Sequence, residues 1–361
     1  MSAPKDLKWV EIDLAAVARN ARWVVSRLEG ARLMAVVKAD AYGHGAPQVS
    51  RVALKAGAAC LGVRDLSEAA ELRRAGIKAP VHLLFPILPE QARDAVRLGV
   101  SVTVDGVAQA RALNAAAEGR RVQIHVDVDS GLGRWGVAPA RLGELMAALA
   151  RLPRVRVAGL STHIDYVPGK NAVEAEEKLG AFRRLSAPYK KADPALLVHA
   201  ANSSVFVDFP HHRFDMACVG NLLYGINPSP SRPAPLQNAW RFCARILSLR
   251  EVRKGASVGY ASEYLAPRRM TIATLPVGYA DGLTMEPAGR LIGLGGGFEY
   301  WGMRRGVRLP FLGRCGIAHV LVDATDAPGA RIGDVVTLPV RRTAARHLPR
   351  TYLGEGKTAA R

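Results

Sequence analysis

The sequence predicts an α/β fold in which a parallel (β/α)8 barrel is followed by a mainly-β C-terminal domain. Short β-rich runs alternate with longer amphipathic segments through the first two thirds of the 361 residues. This alternation is typical of parallel strands joined by crossover helices. After about Pro228 the pattern changes to short strands with Gly-rich turns, and Ser229–Pro235 is a Pro/Ser-rich connector between the two parts.

Eight runs in the first part are candidate strands. They are Leu33–Val37, Cys60–Val63, Val81–Phe85, Ser101–Val104, Val122–Val128, Val155–Thr162, Leu196–Ala201 and Ala217–Leu223. Between them lie helical patterns such as Leu66–Gly76, in which Ser67 can cap the first turn and Gly76 can end the helix. Eight strands with helical crossovers predict a closed barrel whose active site lies at the C-terminal ends of the strands.

The second part contains five further runs with strand character. They are Phe242–Val252, Met270–Pro276, Gly306–Leu312, His319–Val322 and Asp334–Pro339. We therefore expect a barrel domain over residues 1–230 and a β domain over residues 236–361. Roughly the first ten residues are left open as a segment that can join the β domain.

The formal charge of +19 raises nucleic acid as a partner. The basic residues are mostly arginines spread along the whole chain, which is typical of a solvated surface, so nucleic acid is not the partner we expect. The last 21 residues hold six Lys or Arg against one acidic residue, Glu355. An acidic partner for this segment stays an alternative to a merely basic, frayed tail.

The sequence shows no targeting or cross-linking signal. No apolar run approaches the roughly 20 residues that cross a bilayer. The N-terminus has no basic segment followed by an apolar one, so a signal peptide is not expected and the cytoplasm is the default location. Four scattered cysteines lack metal-ligand spacing, and we expect neither a disulfide framework nor a metal site.

Lys38 is the first residue that points to chemistry. It lies at the C-terminal end of the first predicted strand, which is the catalytic side of a (β/α)8 barrel. Burying a lysine charge there is costly, and a Schiff base with a carbonyl cofactor removes that cost. Taken alone, a lysine that extends from the strand end into solvent is the simpler interpretation, so the neighbouring motifs decide.

The segment Val36–Gly45 (Val-Val-Lys-Ala-Asp-Ala-Tyr-Gly-His-Gly) closely resembles the motif that carries the pyridoxal 5′-phosphate (PLP) lysine of alanine racemases. The resemblance continues in order over nearly the whole chain, and several ordered motifs are far more specific than one. Glu11–Leu14 with Asn20 resembles the family's opening helix. The further matching segments are Gly62–Val63, Glu68–Ala69, Leu72–Gly76, Asp129–Gly136, Thr162–His163, His199–Ser203, Gly220–Gly225, Gly259–Tyr260 and Gly278–Gly282.

This resemblance implies a role for each site residue. Lys38 holds PLP and acts as one base, and Tyr260, supplied by the partner subunit of a homodimer with shared sites, acts as the second base on the opposite face. Arg134 and Tyr279 bind cofactor and substrate, and Ile317 offers a backbone N–H to the substrate carboxylate. The remaining cofactor contacts are Tyr42, Ser203, Gly220 and Asn221 at the phosphate, and His163, Asn202 and Cys218 elsewhere around PLP.

The departures from the family are concentrated around the cofactor. In the family, an arginine donates to the pyridine nitrogen where this chain has Cys218, and a neutral thiol donates only weakly. His163, the usual neighbour of that arginine, is present and can contact the ring through water. A carbamylated lysine that often supports the substrate arginine is replaced by Asp127, which either supplies part of the same charge or is a strand residue without that role.

Two further departures fall at the substrate entrance. The family's Met-Asp pair aligns with Ile317–Ala318, which removes a carboxylate. A tyrosine that usually touches the phosphate aligns with Arg346, just ahead of the matching segment His347–Tyr352. Losing an acid and an aromatic side chain while gaining a base predicts a substrate that is larger or more acidic than alanine.

We therefore expect an amino-acid racemase or epimerase that uses PLP and two bases, with alanine or a larger amino acid as substrate. PLP supplies the electron sink, and the protein places one acid/base on each face of Cα. Two alternatives stay open. One is a different PLP reaction (decarboxylation, aldol cleavage or elimination), motivated by Cys218, and the other is a non-catalytic PLP-binding relative.

Overall fold

The computed structural model of the chain describes residues 5–229, 231–283, 300–340 and 342–354. These residues fall into two compact units. One unit spans Leu14–Ala239, and the other combines the residues ahead of Leu14 with those from Trp240 onward. Within the described ranges, no helix is both long enough and apolar enough to cross a membrane.

The first unit contains the predicted barrel. Lys8–Asp13 (β1) belongs to the other unit, and the barrel strands that follow it are Arg32–Val36 (β2), Cys60–Val63 (β3), Val81–Pro86 (β4), Ser101–Val104 (β5), Val122–Val128 (β6), Val155–Thr162 (β7), Leu197–His199 (β8) and Met216–Val219 (β9). All neighbouring pairs in the order β8-β7-β6-β5-β4-β3-β2-β9 are parallel. The two edges meet where Cys218 N–H donates to Ala201 O at 2.7 Å, so the sheet is nearly closed.

Helical segments connect the barrel strands. They are Leu14–Val25 (α1), Lys38–Gly43 (α2), Ala46–Lys55 (α3), Leu66–Arg74 (α4), Ala92–Leu98 (α5), Val107–Ala116 (α6), Leu142–Leu149 (α7), Ala172–Ala192 (α8) and Ser203–Asp208 (α9). Single 3-10 turns lie at Pro89–Gln91, Pro139–Arg141, Pro210–His212 and Asn221–Tyr224. The strand–helix alternation confirms the predicted (β/α)8 class.

Three local predictions in the barrel need correction. Helix α4 is capped by Asp65, whose side chain accepts from Glu68 N–H, and Ser67 instead donates to Asp65 at 2.6 Å. The run Leu196–Ala201 is a strand only over β8, because the chain then turns towards the Asn202 cap of α9. The run Ala217–Leu223 leaves the sheet after Val219, where Asn221–Tyr224 forms a 3-10 turn.

The second unit is built around one nine-stranded sheet. Its strands are β1, Trp240–Arg245 (β10), Ser248–Val252 (β11), Met270–Leu275 (β14), Trp301–Arg304 (β15), Val307–Leu312 (β16), Val320–Asp323 (β17), Val335–Leu338 (β18) and Arg350–Leu353 (β19), and a separate hairpin is formed by Ser257–Val258 (β12) and Tyr264–Leu265 (β13). The sheet order is β11-β14-β17-β16-β15-β18-β10-β1-β19. A mainly-β unit is therefore present, as the sequence predicts.

The start of the chain differs from its predicted helical character. Residues Glu11–Asp13 lie in β1, which pairs antiparallel with β10 and parallel with β19, and helix α1 begins only at Leu14. Pairing on both edges of β1 explains this, and each face of the strand carries a buried side chain, Trp9 on one and Ile12 on the other. The predicted run Phe242–Val252 is two strands, with the chain leaving the sheet between β10 and β11.

Candidate active site

A cavity of about 310 Å³ opens at the C-terminal ends of the barrel strands. It is the location that the barrel class predicts for an active site. All nine barrel residues proposed from the sequence as cofactor contacts line it. They are Lys38, Tyr42, Arg134, His163, Asn202, Ser203, Cys218, Gly220 and Asn221.

Lys38 enters the cavity from an unusual backbone turn. It lies two residues after the end of β2, and the next four residues, Ala39–Tyr42, all have φ between 52° and 56°. A left-handed turn of non-glycine residues costs roughly 1–2 kcal/mol per residue, so surrounding contacts must hold it. Glu68 Oε1 accepts from Ala39 N–H at 2.8 Å, and Asp40 Oδ1 accepts from Ala46 N–H at 2.7 Å. Glu68 thereby fixes the backbone next to the lysine.

The Lys38 amine lies in surroundings that favour its neutral form. Burial lowers its pKa, the nearby Arg134 charge lowers it further, and Glu68 partly opposes both. Its Nζ is 6.0 Å from the centre of the Phe85 ring. A neutral amine is the nucleophilic and proton-accepting form of lysine, so this position suits both covalent attachment and base chemistry.

One end of the cavity is shaped by Gly220. A Cβ at this position would lie 2.6 Å from the Tyr42 hydroxyl, so only glycine leaves this space open. Ser203 Oγ accepts from Gly220 N–H at 3.3 Å, which brings a second hydroxyl to the same place. Asn202 is the N-cap of α9, because its Oδ1 accepts from Ser204 N–H and Val205 N–H at 3.0 Å.

Arg134 is presented by a tight glycine loop after β6. Asp129 Oδ1 accepts from Gly131 N–H and Gly133 N–H, at 3.0 and 3.1 Å. Gly136 has φ 114°, and a Cβ there would lie 2.6 Å from Asp129 N. The loop directs the Arg134 guanidinium over the Trp135 ring, 3.7 Å from its centre, which holds the charged group at the cavity.

Asp127 lies on β6 inside the barrel. Its Oδ1 accepts from Ser161 Oγ at 2.6 Å. Burial raises the pKa of this carboxyl to about 7, although the Ser161 hydrogen bond and the Arg134 charge act in the opposite direction. Asp127 is thus a lining residue that exchanges a proton near neutrality, unlike an exposed aspartate.

Cys218 stands at the end of a buried polar chain. Its Sγ is 3.4 Å from His199 Nδ1, and His199 Nε2 is 2.8 Å from His125 Nδ1. The centre of the His82 ring lies 4.3 Å from that of the tilted His125 ring, and its Nε2 lies 3.0 Å from Thr103 Oγ1. Burial raises the pKa of the Cys218 thiol and lowers the pKa of His82, His199 and His125, the last to about 4. The side chains of this buried polar chain are therefore uncharged at neutral pH.

His163 is also held in its neutral form. Burial lowers its pKa to about 4, with further contributions from the Arg134 and Lys38 charges. A neutral imidazole offers one donor and one acceptor to a group bound in the cavity.

Sequence reasoning missed part of this site. The missed lining residues are His82, Leu84, Phe85, Thr103, Ser161 and Ser204, and Trp135 and His199 entered only as members of matching segments. The signal that could have found most of them is the two-residue alternation of barrel strands. His125 and Asp127 are two apart on β6, and polar residues interrupt the apolar β4, β5, β7 and β8 at positions that face the same interior.

Three predicted site residues belong to the other unit. Tyr260 follows Gly259 at the end of β12 and its side chain is half-exposed. Tyr279 and Ile317 lie on two touching loops, where Tyr279 N–H donates to Gly316 O and Ala280 N–H donates to Ile317 O. A Cβ on Gly278 would lie 2.2 Å from Ile317 O, so a glycine is required for this contact.

The same unit holds the residues that depart from the family at the entrance. Ala318 is exposed beside Ile317. Arg346 is exposed as well, and its carbonyl accepts from the Arg350 guanidinium at 3.1 Å. Both positions are on the surface of the unit, where a change of charge alters what can approach.

The cavity residues fit PLP. The Lys38 amine can bind an aldehyde, and the space that Gly220 leaves between the Tyr42 and Ser203 hydroxyls suits a phosphate. Arg134 supplies a cation for an anionic oxygen. The thiol of Cys218 is the part of the lining that offers a cofactor only a weak hydrogen-bond donor.

Comparison with known proteins identifies the family. Residues 12–228 match the model of the alanine racemase N-terminal domain, and residues 239–350 match that of the C-terminal domain. The chain is 35% identical to an alanine racemase of Desulfovibrio desulfuricans (91% of this chain, 88% of the relative) and 37% identical to one of Symbiobacterium thermophilum (91% and 86%).

Solved structures give the same result. An alanine racemase from Streptomyces lavendulae superposes with a TM-score of 0.84 at 31% identity and covers 98% of each chain. One from Clostridium difficile 630 superposes with a TM-score of 0.87 at 25% identity and covers 97% of each. The chain therefore belongs to the alanine racemase family, whose members are PLP-dependent isomerases.

Proposed function

We propose that this protein racemises a free amino acid with two bases, Lys38 on one face of Cα and the partner subunit's Tyr260 on the other. The observation that carries the proposal is the Lys38 amine, whose pKa is lowered by burial in a cavity at the catalytic end of the barrel. The name alanine racemase, shared by the relatives, supports the reaction type.

PLP, when bound, withdraws electrons from Cα and makes its C–H bond acidic. Lys38 attaches the cofactor and, once substrate has taken its place, removes or returns the Cα proton at Nζ. Burial and the Arg134 charge favour the neutral amine that this transfer needs. Arg134, held over Trp135, binds an anionic oxygen and so orients the substrate.

The exposure of the Tyr260 side chain supports the proposal that it acts in the cavity of the partner subunit. The lining of the barrel cavity comes from barrel residues, whereas Tyr260, Tyr279 and Ile317 are all exposed on the β unit. The Tyr260 ring is 5.7 Å from His319, which packs beside Gly316 and so connects Tyr260 to the Tyr279–Ile317 loops. Exposed large side chains on neighbouring loops, as here, are typical of an interface.

The substrate we propose has a side chain larger than the methyl group of alanine. Phe85 and Trp135 line the cavity with ring centres 4.9 Å apart, close to Lys38, and offer an apolar wall. Ala318 and Arg346 replace an acid and a tyrosine of the family pattern. An apolar wall beside the reacting lysine favours neutral amino acids with extended apolar side chains.

The test is Cα–H exchange in deuterated water by the PLP-loaded enzyme, followed by NMR over a panel of L- and D-amino acids. We expect exchange with formation of both enantiomers, fastest for a neutral amino acid larger than alanine. Equal or better turnover of alanine refutes the substrate assignment. Exchange without inversion, or release of carbon dioxide, indicates another PLP reaction, and no exchange with any amino acid indicates a binding protein.

A second experiment tests the shared site. Lys38→Ala and Tyr260→Phe each remove one base, and a hybrid dimer of the two variants has one intact site only if Tyr260 acts across the interface. Random mixing of the two variants makes about half of the dimers hybrids, and each hybrid has one intact site out of two. We therefore expect recovery of about a quarter of wild-type activity. Mixed variants that stay as inactive as either parent refute the cross-subunit assignment.

A further inference from the structure

We propose that Glu176, His211 and His212 form a binding site for a divalent transition metal of the Zn²⁺ class, outside the catalytic cavity. Glu176 lies on α8, and the two histidines lie in the 3-10 turn Pro210–His212 that precedes β9. None of the three lines the cavity that holds Lys38. The site is thus independent of the PLP chemistry.

The ligand atoms converge on one point. His211 Nε2 and His212 Nε2 each lie 2.9 Å from the same carboxylate oxygen, Glu176 Oε1. The three atoms that would bind a metal lie within 4.8 Å of one another. Small movements of the side chains therefore replace the shared hydrogen bonds with bonds to one ion.

The backbone presents both imidazoles in the same direction. His211 and His212 are consecutive, and their ring centres are only 4.5 Å apart. The turn that carries them is held by His212 N–H donating to Phe209 O at 2.8 Å, and its first residue, Pro210, restricts the backbone. A metal would therefore meet two ligands that are already ordered on one side and a helix-borne carboxylate on the other.

The donor set matches the Zn²⁺ class. Two imidazole nitrogens and one carboxylate oxygen are ligands that Zn²⁺ accepts in tetrahedral sites, with a water molecule in the fourth position. His212 is buried, whereas His211 is 64% exposed. The exposed ligand gives an ion a path from solvent.

Arg183 lowers the affinity of this site for a metal. One Arg183 Nη2 donates to His211 O and lies 3.3 Å from His212 Nδ1. A guanidinium can only donate, so His212 Nδ1 accepts and its proton resides on Nε2, from which it is donated to Glu176. A metal on Nε2 requires that proton to move to Nδ1, where Arg183 now opposes it. Removing this arginine should therefore tighten metal binding.

Metal binding would tie α8 to the turn before β9. Because Glu176 lies 35 residues from His211 in the sequence, the unfolded chain does not hold the carboxylate beside the two histidines, and the metal binds chiefly the folded protein. The expected consequence is a rise in melting temperature, with no need for a change in racemase activity.

The test uses the PLP-loaded enzyme after EDTA treatment and measures Zn²⁺ by equilibrium dialysis and Co²⁺ by its visible absorption spectrum. We expect one ion per chain, and at least about tenfold weaker binding for His211→Ala and Glu176→Gln, since each removes a ligand. Glu177→Gln is the matched control, because it makes the same change one residue along α8 on an exposed side chain. His211 is exposed, so its loss should not unfold the chain.

Two outcomes overturn the site. One is wild-type affinity in both His211→Ala and Glu176→Gln, which places any bound ion elsewhere. The other is absence of Zn²⁺ and Co²⁺ binding by both the wild type and Arg183→Gln. Tighter binding by Arg183→Gln than by the wild type supports the assignment in a way that adventitious binding to surface histidines does not.

Discussion

The Sγ of Cys218 lies 3.4 Å from Nδ1 of His199, at the end of an uncharged hydrogen-bonded chain in the barrel interior. This pairing resembles the cysteine–histidine arrangement of thiol nucleophiles, but its electrostatics are opposite. Burial raises the pKa of the thiol and lowers that of the imidazole, so neither group carries charge at neutral pH. Cys218 is therefore a hydrogen-bonding and packing group, and not an activated nucleophile.

The first prediction concerns the reactivity of this thiol. In the PLP-free protein at pH 8, where the cavity is open to reagent, Cys218 should react with iodoacetamide far more slowly than a cysteine in the unfolded chain, because the thiolate is the reactive form. Mass spectrometry of tryptic fragments measures the labelling. The same protein in denaturant is the control, and all four cysteines should then be labelled.

The variant His199→Ala distinguishes a neutral thiol–imidazole pair from a charged thiolate–imidazolium pair. If His199 is neutral, its removal leaves the low reactivity of Cys218 unchanged or only exposes the thiol to more reagent. Fast labelling in the wild type that falls in His199→Ala would show a thiolate–imidazolium pair and contradict the assignment.

The second prediction is a loss of stability in acid caused by His125. Its pKa is lowered to about 4 by burial, so between about pH 6.5 and 4 the unfolded chain binds a proton that the folded chain does not. Stability therefore falls as the pH decreases through this window. His125→Asn should flatten the fall by up to about 3 kcal/mol, from 1.36 kcal/mol for each pKa unit.

Urea unfolding of both proteins at several pH values measures this difference. At pH 8 the imidazole is neutral in the folded and unfolded states, so the comparison there gives the cost of the smaller side chain alone. An identical pH dependence of the two proteins between pH 4 and 6.5 would refute the prediction.

The third prediction concerns Asp127 and has the opposite sign. Its pKa is raised to about 7 by burial, so between about pH 4 and 7 the folded chain holds a proton that the unfolded chain has lost. Stability therefore decreases as the pH rises through this window. Asp127→Asn should remove this decrease and leave the variant more stable than the wild type at pH 8, by up to about 4 kcal/mol.

Ser161→Ala is the informative companion to this variant. The Ser161 hydroxyl donates to Asp127 at 2.6 Å and favours the ionised carboxylate. Its loss should move the pKa of Asp127 further upwards, which an infrared carboxyl band of the folded protein would report. A downward movement, or an Asp127 that is fully ionised at pH 5, would show that burial does not dominate.

Much of the fold follows from local patterns in the sequence. Four of the eight predicted barrel strands, β3, β5, β6 and β7, have the predicted bounds, because a buried parallel strand is a continuous apolar run between polar turns. The runs that were too long end where a cap or glycine redirects the chain, at Asn202 and Gly220. Strands β1 and β19 pair over long sequence distances, which short-range patterns do not report.

The candidate site divides in the same way. Residues inside recognisable motifs, such as Lys38 and Gly220, were found from the sequence, and the structure gathers them in one cavity. The histidines of β4, β6 and β8 were not found as a group because each is isolated in its own strand. These histidines come together only because the three strands face one barrel interior. The left-handed turn after Lys38 has no local sequence signal, since Ala39–Tyr42 contains no glycine.

The last prediction tests the space at Gly220. Its φ is −116°, so an alanine is not disfavoured by the backbone, and the effect of Gly220→Ala comes from the methyl group alone. That group would lie 2.6 Å from the Tyr42 hydroxyl and 3.0 Å from the ring carbon that bears it. If this space holds the PLP phosphate, the variant should fold but bind PLP at least about tenfold more weakly, because the methyl group removes room for charge-assisted hydrogen bonds.

Titration of the PLP-free protein with PLP, followed by its absorbance, gives the affinity directly. Gly180→Ala is the matched control, since that glycine lies on α8 and its nearest neighbour is the mobile end of the Arg184 side chain. Gly220→Ala combined with Tyr42→Ala removes the crowding, and folding without recovery of affinity would show that Tyr42 itself binds the phosphate. Unchanged affinity in Gly220→Ala would place the phosphate elsewhere in the cavity.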